Sequence, residues 1–210
     1  ETGLIKRLKE LGIYDDTIIV LSADHGDMMG SHGLMAKHVW YEESIGIPLV
    51  VGGGALPASV CHTLIGSPDF MPTLLGLLNL PIPETVEGID CSQDIKGNPM
   101  HIDHVCFLAA CPGRDVFLEA FKKAGKEPMD FGWRGIRTKR YVYVVDVGYR
   151  TEPELVRYLY DLETDPMEKH GEKIENPAEH PIAQELDFRL REWLEEQGDG
   201  FLMHITDSER

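Results

Sequence analysis

The chain is poor in basic residues, in cysteine and in long apolar runs, and each shortage excludes something. Only 20 Lys and Arg stand against 36 Asp and Glu among 210 residues, a formal charge of −16. A field of that sign repels phosphate backbones, so a nucleic-acid partner is not expected. The same carboxylates are compatible with a hard cation, although an acidic excess is more often just a solvated surface. The four cysteines (Cys61, Cys91, Cys106, Cys111) are too few and too irregular for a disulfide framework, and none forms a CxxC pair. Reduced, buried thiols are the expectation. The longest apolar run, around Ile47 to Val51, breaks at Gly52-Gly53-Gly54, so no membrane span is expected. The chain starts at Glu1 without a basic-then-apolar leader, so no signal peptide is visible and the compartment, cytoplasmic or periplasmic, stays open. At 42% hydrophobic and 27% charged, what remains is a soluble globular chain of one domain or a domain and a half.

Within it, Leu4, Ile5, Leu8 and Leu11 share one helical stripe, and Gly12 sits where a left-handed C-terminal cap would. Asp16-Thr17-Ile18-Ile19-Val20-Leu21 follows, a short β-branched run that predicts a strand buried on both faces of a parallel sheet. Residues 22 to 40 read as a loop rich in Gly, Met and His. Pro48 to Val51 and Cys61 to Ile65 are further strand candidates. Ser67-Pro68-Asp69 has the order N-cap, first-turn proline, first-turn acid, ahead of a helix through Phe70, Met71, Leu74, Leu75 and Leu78. Residues 80 to 103 carry Pro81, Pro83, Gly88, Gly97 and Pro99 and suggest a boundary. Beyond it, Val105 to Ala109, Tyr141 to Val147 and Leu159 to Leu162 predict strands, the second of them antiparallel. Ile182, Leu186, Leu190, Trp193 and Leu194 predict a terminal amphipathic helix. The expected architecture is therefore an α/β part over 1–100 and a small α+β subdomain over 101–210.

The chemistry concentrates just past the first strand, in Ser22-Ala23-Asp24-His25-Gly26-Asp27. Ligand-binding groups of open α/β sheets gather where strands end. Neighbouring side chains of a strand point oppositely, so Asp24 and His25 reach one cation only if the chain bends, which Gly26 permits. Alone, Asp-His-Gly is equally a turn with a capping Asp. His32-Gly33, Lys37, His38 and Tyr41-Glu42-Glu43-Ser44 come soon after. A lysine beside a cation and imidazoles suits hydrolysis of an anionic ester: the positive charges neutralise the departing oxygens, and a histidine can protonate the leaving group. The bland alternative makes Lys37 and His38 ordinary exposed loop residues.

Ser22 to Val51 (SADHGDMMGSHGLMAKHVWYEESIGIPLVV) resembles the second signature region of the sulfatase family, within the alkaline-phosphatase superfamily. The resemblance continues, in order, through Asp69 to Leu75, Glu87-Gly88-Ile89-Asp90, Trp133 to Thr138 with Tyr141, and Leu159 to Pro166. It implies the C-terminal part of an alkaline-phosphatase-like mixed sheet flanked by helices, plus a small antiparallel-sheet-and-helix subdomain. It also implies Asp24 and His25 as ligands of a divalent metal, Lys37 as the lysine on the sulfate oxygens, and His32 as a histidine near the pocket. Calcium is the family's usual metal. His25, where many members have Asn, resembles the choline-sulfatase and phosphonate-monoester-hydrolase branch and opens manganese or zinc. The family's nucleophile is a formylglycine made from a Cys/Ser-x-Pro-x-Arg motif that this sequence does not contain. Cys111-Pro112-Gly113-Arg114 has its proline out of register, so Cys111 reads as a structural thiol. Two ligands cannot satisfy a cation that wants roughly six to eight oxygens or about four to six mixed donors. The expectation is a sulfatase-like fragment, inert by itself, whose substrate in the intact enzyme is a sulfate ester. Its exposed strands would pair with the missing N-terminal half or with a second copy. Two other possibilities stand: a fragment of a phosphonate monoester or phosphodiester hydrolase, and a non-catalytic interaction module that keeps the fold.

Overall fold

The computed structural model describes residues 3–53, 56–100, 102–113 and 115–207; Glu1, Gly54 and Arg114, named above, lie outside them. In chain order the elements are α1 (Leu4–Glu10), β1 (Ile18–Ser22), α2 (Glu42–Ile45), β2 (Leu49–Gly53), α3 (Phe70–Leu77), α4 (Ser92–Ile95) and β3 (Cys106–Ala110). There follow α5 (Asp115–Ala124), β4 (Gly132–Arg137), β5 (Tyr141–Gly148), β6 (Val156–Asp161), β7 (Glu172–Lys173), α6 (Pro181–Gln197) and α7 (Leu202–Asp207). They pack as two compact units, Glu1–Gly26 with Gly46–His104, and Asp27–Ile45 with Val105–Arg210. Residues 27–45, grouped above with the first hundred, thus pack with the second unit.

In the first unit β1 pairs antiparallel with β2, from Ile18 opposite Gly53 to Ser22 opposite Leu49. This corrects the expectation of a parallel strand buried on both faces. One face is covered: Val20, Leu49 and Val51 line a small apolar space with Phe70, Leu74 and Leu77 of α3. Opposite partners Leu21 and Val50 face the other way and are 61% and 58% exposed. A continuous apolar run codes for two buried faces, and the described residues cover one. Residues 61–65 form no strand. Their side chains are tied up locally instead, with the Cys61 thiol and the Thr63 hydroxyl both donating to Asp94.

Ser67 is not the cap expected of it. Asp69 is buried, and its carboxylate accepts the backbone N–H of Gly66 at 2.7 Å and of Ile89 at 2.8 Å. That close approach explains Gly88, which sits at φ 87 and where a Cβ would lie 2.5 Å from the Pro68 carbonyl oxygen. Gly76 has a similar reason, since a Cβ there would meet the Asp90 carboxylate at 2.3 Å. The loop 80–103 is thereby fastened to the helix ahead of it, and it includes the short α4.

The second unit is a five-stranded antiparallel meander in the order β3-β4-β5-β6-β7. Alternation along β5 decides what covers each face. Tyr143, Val145 and Val147 join Ile136 and Leu159 beneath Leu186, Leu190 and Leu194 of α6. Val142 and Val144 point oppositely, into a cluster with Trp133, Tyr160, Trp40 and Tyr41. An ion pair between a buried arginine and a half-buried aspartate closes one end: Arg134, 2% exposed, donates to both carboxylate oxygens of Asp199 at 2.7 and 3.1 Å. None of the four cysteines is in a disulfide; only Cys91 is buried, against the expectation for the set, and burial pushes its thiol up to about 12. Cys111 donates to the Met129 carbonyl at 3.6 Å.

Candidate active site

β1 ends at Ser22, and the chain bends at Asp24. The bend brings two donor atoms together that an extended chain would separate: Asp24 Oδ2 and His25 Nε2 are 3.4 Å apart. The other imidazole nitrogen, Nδ1, lies 2.6 Å from the Gly26 carbonyl oxygen. A carbonyl only accepts, so Nδ1 carries the hydrogen and Nε2 of the neutral ring presents a lone pair. Two lone-pair atoms then face each other, an arrangement suited to a cation between them. A metal-ligating histidine commonly holds its other nitrogen on a carbonyl in this way. The Asp24 side chain is 86% exposed, so no burial competes with a ligand there. The donor set fits a divalent cation but supplies only two of its ligands. Within this unit a second Asp–His pair is tighter: His104 Nε2 is 2.9 Å from Asp69 Oδ2, whose carboxylate already accepts two backbone amides. That pair reads as structural.

His32 and Lys37 lie in the second unit, on a segment of unusual backbone. Met29, His32, Ala36 and His38 all have positive φ (46, 53, 66 and 81°), as do Gly30 and Gly33. Non-glycine residues in the left-handed region cost of the order of 1 kcal/mol or more each and persist only where the surroundings enforce them. Here the enforcing contacts are visible. The His38 carbonyl oxygen accepts both the Trp133 indole N–H and the Tyr149 hydroxyl, each at 3.0 Å. Trp40 donates to the Tyr160 hydroxyl at 3.1 Å and lies against Trp133 and Tyr158. His32 stacks on Tyr41, with ring centroids 3.9 Å apart. Residues on both sides of Lys37 are thus fixed to one sheet face, while Lys37 is half-buried and has no hydrogen-bond or ion-pair partner among the described residues. A held ammonium with its donors unspent is suited to an anion.

Residues 2–80 match the sulfatase family model. The chain is 32% identical over 203 residues to an ulvan-active sulfatase of Formosa agariphila, covering 94% of this chain and 36% of that protein. Among solved structures, a sulfatase-assigned protein of Bacteroides fragilis superposes with a TM-score of 0.72 at 28% identity, over 96% of this chain and 40% of that one. The phosphonate monoester hydrolase of Agrobacterium radiobacter gives 0.68 at 25%, over 93% and 38%. Residues 2–80 carry the sulfatase-family match, and nearly the whole chain is similar to part of sulfatase-family proteins. It spans between about a third and two-fifths of the length of these relatives. No helix among the described residues is long and apolar enough to cross a membrane.

The sequence reading did not find what holds the loop. Trp133, Tyr149, Tyr158 and Tyr160 reach it from strands, or the ends of strands, more than ninety residues later, so no local spacing announces them.

Proposed function

We propose that this chain contributes part of the active site of a sulfate-ester hydrolase: Asp24 and His25 as ligands of a divalent cation, Lys37 as the cation that binds the ester's sulfate oxygens, and His32 as a polar group near the leaving oxygen. The carrying observation is the Asp24–His25 pair, whose lone pairs converge while Nδ1 is committed to Gly26. The metal, when bound, would withdraw electron density from sulfate oxygens and stabilise charge on the departing group. Asp24 supplies negative charge to hold it, and His25 supplies a neutral nitrogen, which favours manganese or zinc over calcium. Lys37 brings an unspent ammonium on a rigid backbone, so its charge needs little reorganisation when a sulfate arrives. His32, stacked on Tyr41, keeps its ring plane fixed for a proton transfer. None of the 210 residues supplies a Cys/Ser-x-Pro-x-Arg nucleophile, so the covalent step belongs to chain outside them.

The test follows from that division. The 210-residue chain is expected to hydrolyse no aryl sulfate. Expressed with upstream coding sequence bearing Cys/Ser-x-Pro-x-Arg, it is expected to do so, and Lys37→Ala to lower kcat/KM by about 10²–10³-fold. Turnover by the isolated chain that vanished on mutating Lys37 would contradict the proposal. An upstream Thr or Ser nucleophile without that motif, with phosphodiester turnover, would move the assignment to the phosphonate-hydrolase branch that His25 resembles.

A further inference from the structure

Glu168 is an anomaly in the second unit. It is 2% exposed, it adopts φ 50, and the motif Leu159-Tyr160-Asp161-Leu162-Glu163-Thr164-Asp165-Pro166 turns the chain to deliver it, with its own N–H on the Asp165 carbonyl at 3.0 Å. One carboxylate oxygen, Oε2, accepts the backbone N–H of Glu42 at 2.6 Å, at the first residue of α2. The other, Oε1, is buried with no hydrogen-bond partner among the described residues, and the same holds for Oε1 of Glu43. The charged and titratable groups that face it are Glu42 and Glu43 from α2, Arg137 from β4 and Tyr160 from β6. The one cation among them, Arg137, is already committed to Glu42 at 3.2 Å. A buried carboxylate left with one amide and surrounded mostly by acids is costly while ionised.

We propose that Glu168 is a proton-operated latch on residues 27–45: with its carboxyl protonated it seats the Glu42 backbone, and with it the loop carrying His32 and Lys37, and ionisation loosens that seat. Glu168 is a positioning residue, acting on the loop through the Glu42 amide. The amide bond alone would favour the ionised form, since an N–H binds a carboxylate more strongly than a neutral carboxyl. Burial outweighs it, and with the charges of Glu42 and Glu43 pushes the carboxyl up to about 7. A proton on Oε1 also removes the charge from an oxygen that is buried without a hydrogen-bond partner among the described residues. The latch is independent of the role proposed for Lys37: it concerns the order of the loop, which is readable without any turnover.

Amide hydrogen exchange of peptides covering 27–45, corrected for the intrinsic pH dependence, tests it on the 210-residue chain between pH 5.5 and 8.5. Protection is expected to fall about tenfold through a midpoint near neutral pH. Glu168→Gln keeps an acceptor for Glu42 and cannot ionise, so it should stay protected and flat across the range. Glu168→Ala should be poorly protected at every pH. Flat protection in the natural chain, or the same transition surviving in Glu168→Gln, would overturn the latch, and that comparison decides the matter even if Glu168→Ala fails to fold.

Discussion

The two sheets of this chain solve the same problem differently. β1 and β2 cover one face with α3 and leave Leu21 and Val50 on the other, more than half exposed. β5 has both faces filled, one by α6 and the other by aromatic residues of segment 27–45. An apolar strand run states that two faces want covering; it does not say by what. The candidate site divides along the same line. Asp24 and His25 sit on a bend held by one local hydrogen bond, whereas the backbone around Lys37 is fixed by three aromatic hydrogen-bond donors and a ring stack.

Four substitutions probe this contrast. Arg134→Met should have the largest effect, about 3–5 kcal/mol in urea unfolding, because it removes a buried guanidinium that serves Asp199 and the Met129, Phe131 and Trp133 carbonyls together. A loss below about 1 kcal/mol would show that the second unit is not held as tightly as its geometry indicates. Glu168→Gln comes next. The folded carboxyl sits near 7 against about 4.5 unfolded, so between those values the native state holds the extra proton. Stability therefore falls as pH rises through that window, by up to about 3 kcal/mol, and is flat above it. The difference between natural chain and Gln variant isolates this from other carboxylates and is expected to appear only from about pH 5 to 8. Val144→Ala, at a fully buried position on the aromatic face, should cost about 2 kcal/mol. Leu21→Ser, on the uncovered face of β1, should change stability by less than about 0.5 kcal/mol. If Leu21→Ser proved as damaging as Val144→Ala, something in solution covers that face, and a concentration-dependent sedimentation profile would identify it as a second copy.

Much of the fold is legible in the residues. β5 and α6 announce themselves by alternation and by the stripe Leu186, Leu190, Leu194, because each element's period is local and strong. The 61–65 strand failed because Cys61 and Thr63 spend their polar groups on Asp94, a partner about thirty residues away that no window sees. Ser67 is not the cap because the turn starts one residue earlier, at Gly66, whose N–H is held by the Asp69 carboxylate that also serves Ile89, through a turn that Gly88 makes possible. Of the site, the Asp24-His25-Gly26 bend and the Lys37 loop stand in the sequence, the former because glycine marks where a strand breaks. The clamp on His38 and the burial of Glu168 do not, since they arise where β4, β6 and the segments next to the strands meet a loop from much earlier in the chain.

In the proposed site Asp24 and His25 share one cation. Titrating Mn²⁺ into the isotope-labelled 210-residue chain and following paramagnetic broadening by NMR tests it without requiring turnover. Broadening should centre on residues 23–26 at low metal and disappear in Asp24→Asn with His25→Ala. Broadening centred elsewhere, or unchanged in that double variant, would mean the 3.4 Å pair is only a contact of the turn and holds no metal.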